Sequence, residues 1–149
     1  MQLSSRLKIR FAYIATDTHL ILELTKEKDM NYEEMIDFEI NLKVANLVRD
    51  EWINVSRKEG SETCLHIIDS NGATGHTKHS YVDYCNNPSD AWPIIVENGI
   101  SLVWMNAEVS YYEAHGINEE IWDEDWQSQH PNALRAAMIC FLKMKDAEK

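Results

Sequence analysis

Apolar residues recur at Ile36, Ile40, Val44, Leu47 and Val48, steps of four, four, three and one that trace one face of a helix. Asp37 is placed to cap that helix, with Ile36 before it as a hydrophobic staple, and the spacing predicts a helix over about 36–49. Its polar side carries Glu39, Lys43, Asn46 and Arg49. Two β-rich segments follow, Trp52–Val55 and Cys64–Ile68, joined by the turn signal Arg57-Lys58-Glu59-Gly60. Residues 71–80 hold two glycines and no large apolar group, which reads as a loop, with a short strand at Tyr81–Tyr84.

Gly99 suits the position just past a helix, and the segment before it offers two starts. With Asn87 as cap, Pro88 falls at the favoured first position, but Pro93 becomes the sixth helical residue, at a cost of about 3 kcal/mol. With Asp90 as cap, Pro93 falls where an amide has no partner in the helix anyway. The second register is the cheaper and predicts a helix over 90–98. Ile100–Met105 and Glu108–Glu113 read as neighbouring strands joined by Asn106-Ala107 and ended by Gly116. Residues 119–125 place five carboxylates in seven positions, a solvated loop by composition. From Pro131 a last helix runs to about 145, apolar on nearly every side and therefore buried over most of its circumference. The order predicts an α+β fold, three helices on a small, mainly antiparallel sheet.

Charge separates the first 29 residues from the rest. They carry five basic and four acidic side chains, and residues 30–149 carry nine and 21. Residues 1–29 therefore read as an N-terminal extension to a single domain over 30–149. Met30 is an alternative start, since Lys26-Glu27 can be encoded as a ribosome-binding sequence just upstream. The stretch from Ile9 to Leu24 can equally be read as a strand pair of the domain. The whole chain of 149 residues has 14 basic and 25 acidic side chains, a net charge of −11. That balance disfavours duplex nucleic acid, whose affinity comes from Lys and Arg on phosphates, and anionic membrane surfaces. The longest apolar run, Ala136–Leu142, is far short of a membrane span. Three scattered cysteines, Cys64, Cys85 and Cys140, fit free thiols in a reducing compartment. The expected location is the cytoplasm.

Three blocks carry a resemblance: Asp37-Phe38-Glu39-Ile40-Asn41, Cys85-Asn86-Asn87-Pro88-Ser89-Asp90-Ala91-Trp92-Pro93-Ile94-Ile95, and Leu134-Arg135-Ala136-Ala137-Met138-Ile139. In order and spacing they resemble the signature of the phage NinX family over roughly residues 31–145. More distantly, they are similar to the phage ABA-sandwich domain. The chain departs from the family where Pro131 lies one residue ahead of the usual Asn-Pro, so the start of the last helix is not carried over. The resemblance implies an accessory protein of a temperate phage and implies no activity.

Chemistry must come from the residues. Cys64-x-His66 and His76-x-x-His79, with Asp83 and Cys85, include zinc ligand types without the paired spacings of a zinc site, so no metal is expected. Nucleophile-elbow, phosphate-loop and dinucleotide motifs are absent, and no cofactor is expected. The Gly72-Ala73-Thr74-Gly75 turn lacks the basic flanks of an RNA clamp. A Cys85 pair with His79 or His115 is the remaining route to an enzyme. Two binding readings stand ahead of it. In the first, Asn86, Asn87, Asp90, Trp92 and Arg135 form a site for a small nucleotide-like ligand: a stacking face, edge-reading amides and an anion partner. In the second, Glu119, Glu120, Trp122, Asp123, Glu124, Asp125 and Trp126 engage a basic host protein, as a DNA mimic would.

Overall fold

The computed structural model describes residues 30–49, 53–71, 75–117 and 122–149, with the backbone alone at 53, 71, 117 and 122–125. The N-terminal extension and the Gly72–Thr74 turn lie outside the described residues, as do Glu119 and Glu120. A single 3-10 turn at Tyr32–Glu34 leads into α1 (Asp37–Val48). The first sheet follows, β1 (Ile53–Arg57), β2 (Leu65–Asn71) and β3 (His76–Val82), then α2 (Pro88–Glu97). The second sheet is β4 (Ser101–Met105), β5 (Tyr111–Ile117) and β6 (Trp122–His130), and α3 (Ala133–Ala147) closes the chain. Both sheets are antiparallel meanders, in the orders β1-β2-β3 and β4-β5-β6. The α+β class and the three helices are as the pattern predicts, but the strands divide between two sheets.

α3 is the centre. It packs against β5 and β6 on one side and against α1 and α2 elsewhere, while β2 meets α1. Residues 135–142 are buried without a break, which is why the helix is apolar all round. α1 is likewise buried on more than one side, at Phe38, Ile40, Leu42, Val44 and Ala45. The expected face was too narrow: Leu47 and Val48 are 44% and 41% exposed, and Ile36 is exposed rather than stapled. Gly116 does not end a strand. It lies within β5, where an added Cβ would sit 2.7 Å from Met144 Sδ and 3.1 Å from Trp126 Cβ, so glycine allows sheet and helix to close on each other.

Two further departures come from the strands. Residues 76–82 form β3 in full register with β2, from Leu65–Val82 to Asn71–His76. An exposed strand of polar residues needs no apolar alternation, so composition alone read it as a loop. The acidic run is also not all loop, because Trp122–Asp125 begin β6, paired across a β-bulge at His115/Ile117.

The helix starts differ as well. α1 is capped by Ile36, whose N–H is taken by the Glu39 carboxylate at 3.0 Å, and Asp37 is its first residue. α3 starts two residues beyond Pro131, at Ala133, with Asn132 as cap. α2 takes the register that looked expensive: Asn87 caps it, its side chain accepting from Ser89 N–H at 3.1 Å, and Pro93 stands inside. Gly99, at φ +62°, follows the helix as expected. The Asp90 carboxylate is not free to cap, for it accepts from the Asp83 N–H and from Asn87 Nδ2, both at 2.9 Å.

Pro93 is exposed and leaves the Ser89 carbonyl without its helical donor. Pro93→Ala restores that bond and removes the ring clash, against about 0.4–1 kcal/mol lost through a freer unfolded chain. The expected result is a net gain of about 2 kcal/mol or slightly more in denaturant unfolding. A neutral or destabilised variant would show that the helix has already adapted to its proline.

Candidate functional site: three helix starts on one polar network

The first turns of α1, α2 and α3 meet, joined by side chains from all three sequence blocks together with Asn132, Asp83 and Thr63. Arg135, in the first turn of α3, is 7% exposed. Its Nη1 donates to Asp37 Oδ1 at the start of α1, and its Nη2 donates to the carbonyls of Met35 and Glu33. The other Asp37 oxygen accepts from Asn86 Nδ2 at 3.0 Å. Asn132 caps α3 by accepting from Leu134 and Arg135 N–H at 3.0 and 3.3 Å. The same amide donates to the Cys85 carbonyl at 2.8 Å and to Asn86 Oδ1 at 3.1 Å, tying α3 to the turn before α2.

A second carboxylate sits beneath. Asp83 accepts from Thr63 Oγ1 at 2.6 Å, from Asn41 Nδ2 at 2.8 Å and from Asn86 Nδ2 at 3.0 and 3.2 Å. Asn41 is fully buried within α1, and each end of its amide is used: Nδ2 also donates to Thr63 O at 2.9 Å, and Oδ1 accepts from Cys85 N–H at 2.9 Å. Asp37, Asp83 and Asp90 are thus each held by donors from more than one segment, at or just before the starts of helices.

His130 completes the start of α3, its Nδ1 accepting from Asn132 N–H at 2.9 Å. Burial, with the Arg135 guanidinium nearby, holds its imidazole below the usual range, so it stays neutral and able to accept. A folded-state value below the unfolded one, about 6.5, gives stability that is complete above that pH and lost as pH falls through the folded value. The thiols are quiet. Burial pushes Cys140 up to about 12, its Sγ donating to Trp126 O at 2.8 Å. It also pushes Cys85 far above the thiol range.

The predicted residues divide accordingly. Asn86, Asn87, Asp90 and Arg135 do come together, but they bond to one another and to Asp37 and Asp83. Trp92 is turned away, 58% exposed on the outer side of α2. Cys85 is wholly buried and pairs with neither histidine: His79 Nδ1 lies 3.0 Å from His66 Nε2, and His115 Nε2 lies 3.2 Å from Glu113 Oε2. Among the described residues no three His, Cys, Asp or Glu gather as metal ligands. In the acidic strand, Trp126 is partly buried against the core and not free for a partner. Asp37, Asn41, Thr63, Asp83 and Asn132 were not chosen as site residues. Asn41, an amide between Ile40 and Leu42, was the readable signal.

The family profile described as Bacteriophage P22, NinX matches residues 31–145. The chain belongs to the NinX family of phage proteins. Neither a curated protein nor a solved structure matches it. The family places this chain among phage accessory proteins, and the matched region spans all three helix starts. No helix among the described residues is long and apolar enough to cross a membrane.

Arg135→Ala removes one partner of a buried ion pair and strands two carbonyls, so equilibrium unfolding should show a loss of about 3–5 kcal/mol. Arg135→Lys should lose less, keeping the charge without the planar fork. A normal melt for Arg135→Ala would mean that the guanidinium is not structural. Between pH 7 and 5 the stability of the wild type should fall more steeply than that of His130→Gln, whose side chain takes up no proton.

Proposed function

We propose that this phage protein acts by binding a host protein rather than by catalysis, through an exposed apolar stripe on α2 set in an acidic surface. The observation that carries the reading is the pair Trp92 and Val96, one helical turn apart and 58% and 61% exposed, while Ala91, Ile94 and Ile95 on the same helix are buried. The fold does not use these two side chains. A Trp on an outward helix face is the residue type that anchors protein interfaces. Glu97 follows directly and is exposed, and the chain carries a net charge of −11, which favours a basic partner and rapid association with it.

A small nucleotide-like ligand is the second reading and has less support. Such a ligand needs a guanidinium and helix N–H groups left open for its phosphate, and here internal carboxylates and the Asn87 and Asn132 caps take those places. An open cleft of about 350 Å³ lies instead beside Glu33, Gln127, Ser128 and Gln129, where the Lys143 ammonium is already taken by the Glu33 carboxylate and the Gln127 carbonyl.

Trp92→Ala should leave the melt within about 0.5 kcal/mol of wild type, as for an exposed side chain without structural partners. Host-protein capture should fall by at least roughly thirty-fold, a loss of about 2 kcal/mol. Capture by the wild type should also weaken as salt rises. Equal capture by wild type and Trp92→Ala would overturn the stripe as the interface. A nucleotide retained by the purified wild type and lost in Trp92→Ala would move the reading to the small ligand.

A further inference from the structure

Two three-stranded meanders present four sheet edges, and three of them are blunted. β3 carries exposed His76, Lys78 and His79. β1 is polar at Asn54 and Ser56 and ends on exposed Arg57. β6 has two of its carbonyls engaged from α3, Trp126 O by the Cys140 thiol and Gln127 O by Lys143 Nζ, each at 2.8 Å. Charges and covered backbone are the ordinary means of preventing one sheet from joining another.

β4 has none of these. Its sequence is Ser101-Leu102-Val103-Trp104-Met105, without charge, proline or glycine. It is hydrogen-bonded along one side to β5, from Ser101–His115 to Met105–Tyr111. Among the described residues no backbone bond is made on its other side. Each face of the strand shows an exposed apolar side chain: Val103 is 40% exposed on one, beside Glu113 of β5, and Trp104 is 53% exposed on the other, edge-on to Tyr112 at 4.7 Å.

We infer that β4 is a self-pairing edge, at which two copies of this chain join antiparallel about Val103 into one six-stranded sheet. The strand is its own complement in that register. Val103 meets Val103 of the second copy, Leu102 meets Trp104, and Ser101 meets Met105. Every residue keeps the face it already occupies, so Trp104 gains an apolar cross-strand neighbour. An uncharged strand has nothing with which to select a charged foreign segment. A two-fold pairing of β4 leaves only the blunted β6 edges at the ends of the new sheet, so assembly stops at two. Five residues a side bury less than the roughly 1,600 Å² of a standard interface, and each copy carries a net charge of −11. The pair is therefore weak, reversible and strengthened by salt, opposite in salt dependence to the host complex proposed for α2.

Sedimentation of the full chain over a range of concentration and salt tests this. The expected result is a monomer–dimer equilibrium that shifts toward dimer at high salt. Val103→Lys places like charges opposite each other at the two-fold, and dimer affinity should fall at least about ten-fold with an unchanged melt. Val103→Thr should keep both fold and dimer. Mild oxidation reads the register independently: Val103→Cys should yield a disulfide-linked dimer, and Ser101→Cys, whose opposite residue is Met105, should not. A wild type that stays monomeric at every concentration overturns the inference. So does a dimer indifferent to Val103→Lys, or one in which both cysteine variants link equally. A monomer that loses a host protein only in Val103→Lys would give the edge to a foreign strand and overturn self-pairing, whatever the outcome with Trp92→Ala.

Discussion

A guanidinium buried in the first turn of a helix must be matched, and the matching of Arg135 by Asp37 organises this molecule. The pair joins α3 to α1, and the carbonyls of Met35 and Glu33 accept from Nη2. Buried charges of this kind add little net stability when intact and cost several kcal/mol when one partner is removed. What the pair contributes is register. α3 lies in the middle of the fold with apolar side chains on every side, a surface that could rotate or slide without great loss of burial. One charged residue with three fixed acceptors at its N-terminal end removes that freedom.

The same reasoning runs outward through Asn86, Asn132 and Asn41. Each is an amide, so one side chain can donate to one segment while accepting from another, whereas an ionised carboxylate only accepts and an ammonium only donates. Asn132 caps α3 while holding the Cys85 carbonyl. Asn41 sits inside α1 while holding Asp83 and the Cys85 N–H. Because Asp90 is drawn into this network, α2 takes its cap from Asn87 and carries Pro93 internally. A local helical cost is thereby accepted for a tertiary hydrogen bond.

For function, the consequence is a division of the polar residues. Those that looked most like a ligand site bond to one another, while Trp92 and Val96 on α2 and Val103 and Trp104 on β4 are apolar side chains left exposed. These two surfaces differ in what they expose. The helix offers side chains alone, with exposed Glu97 following them. The strand offers backbone as well, and carries no charge of its own. Surfaces so different in chemistry suit different partners.

The α+β class, the three helices, the hairpin at Arg57–Gly60, the burial of α3 and the Gly99 stop were all legible in sequence, because each rests on local spacing or on single-residue preference. The family blocks were legible too, and they proved to be the residues of the network. The partners were not legible. Nothing local says that the Asp90 carboxylate serves the Asp83 N–H, that Arg135 reaches Asp37 across 98 positions of chain, or that Asn86 donates to Asp37. Polar strands such as β3, and the acidic start of β6, were missed because their places come from cross-strand pairing rather than from alternation. The sequence alone determined which segments are helices and which helix must be buried. The tertiary structure decided which polar groups meet, since hydrogen-bond geometry between distant segments exists only once the core has brought them within 3 Å.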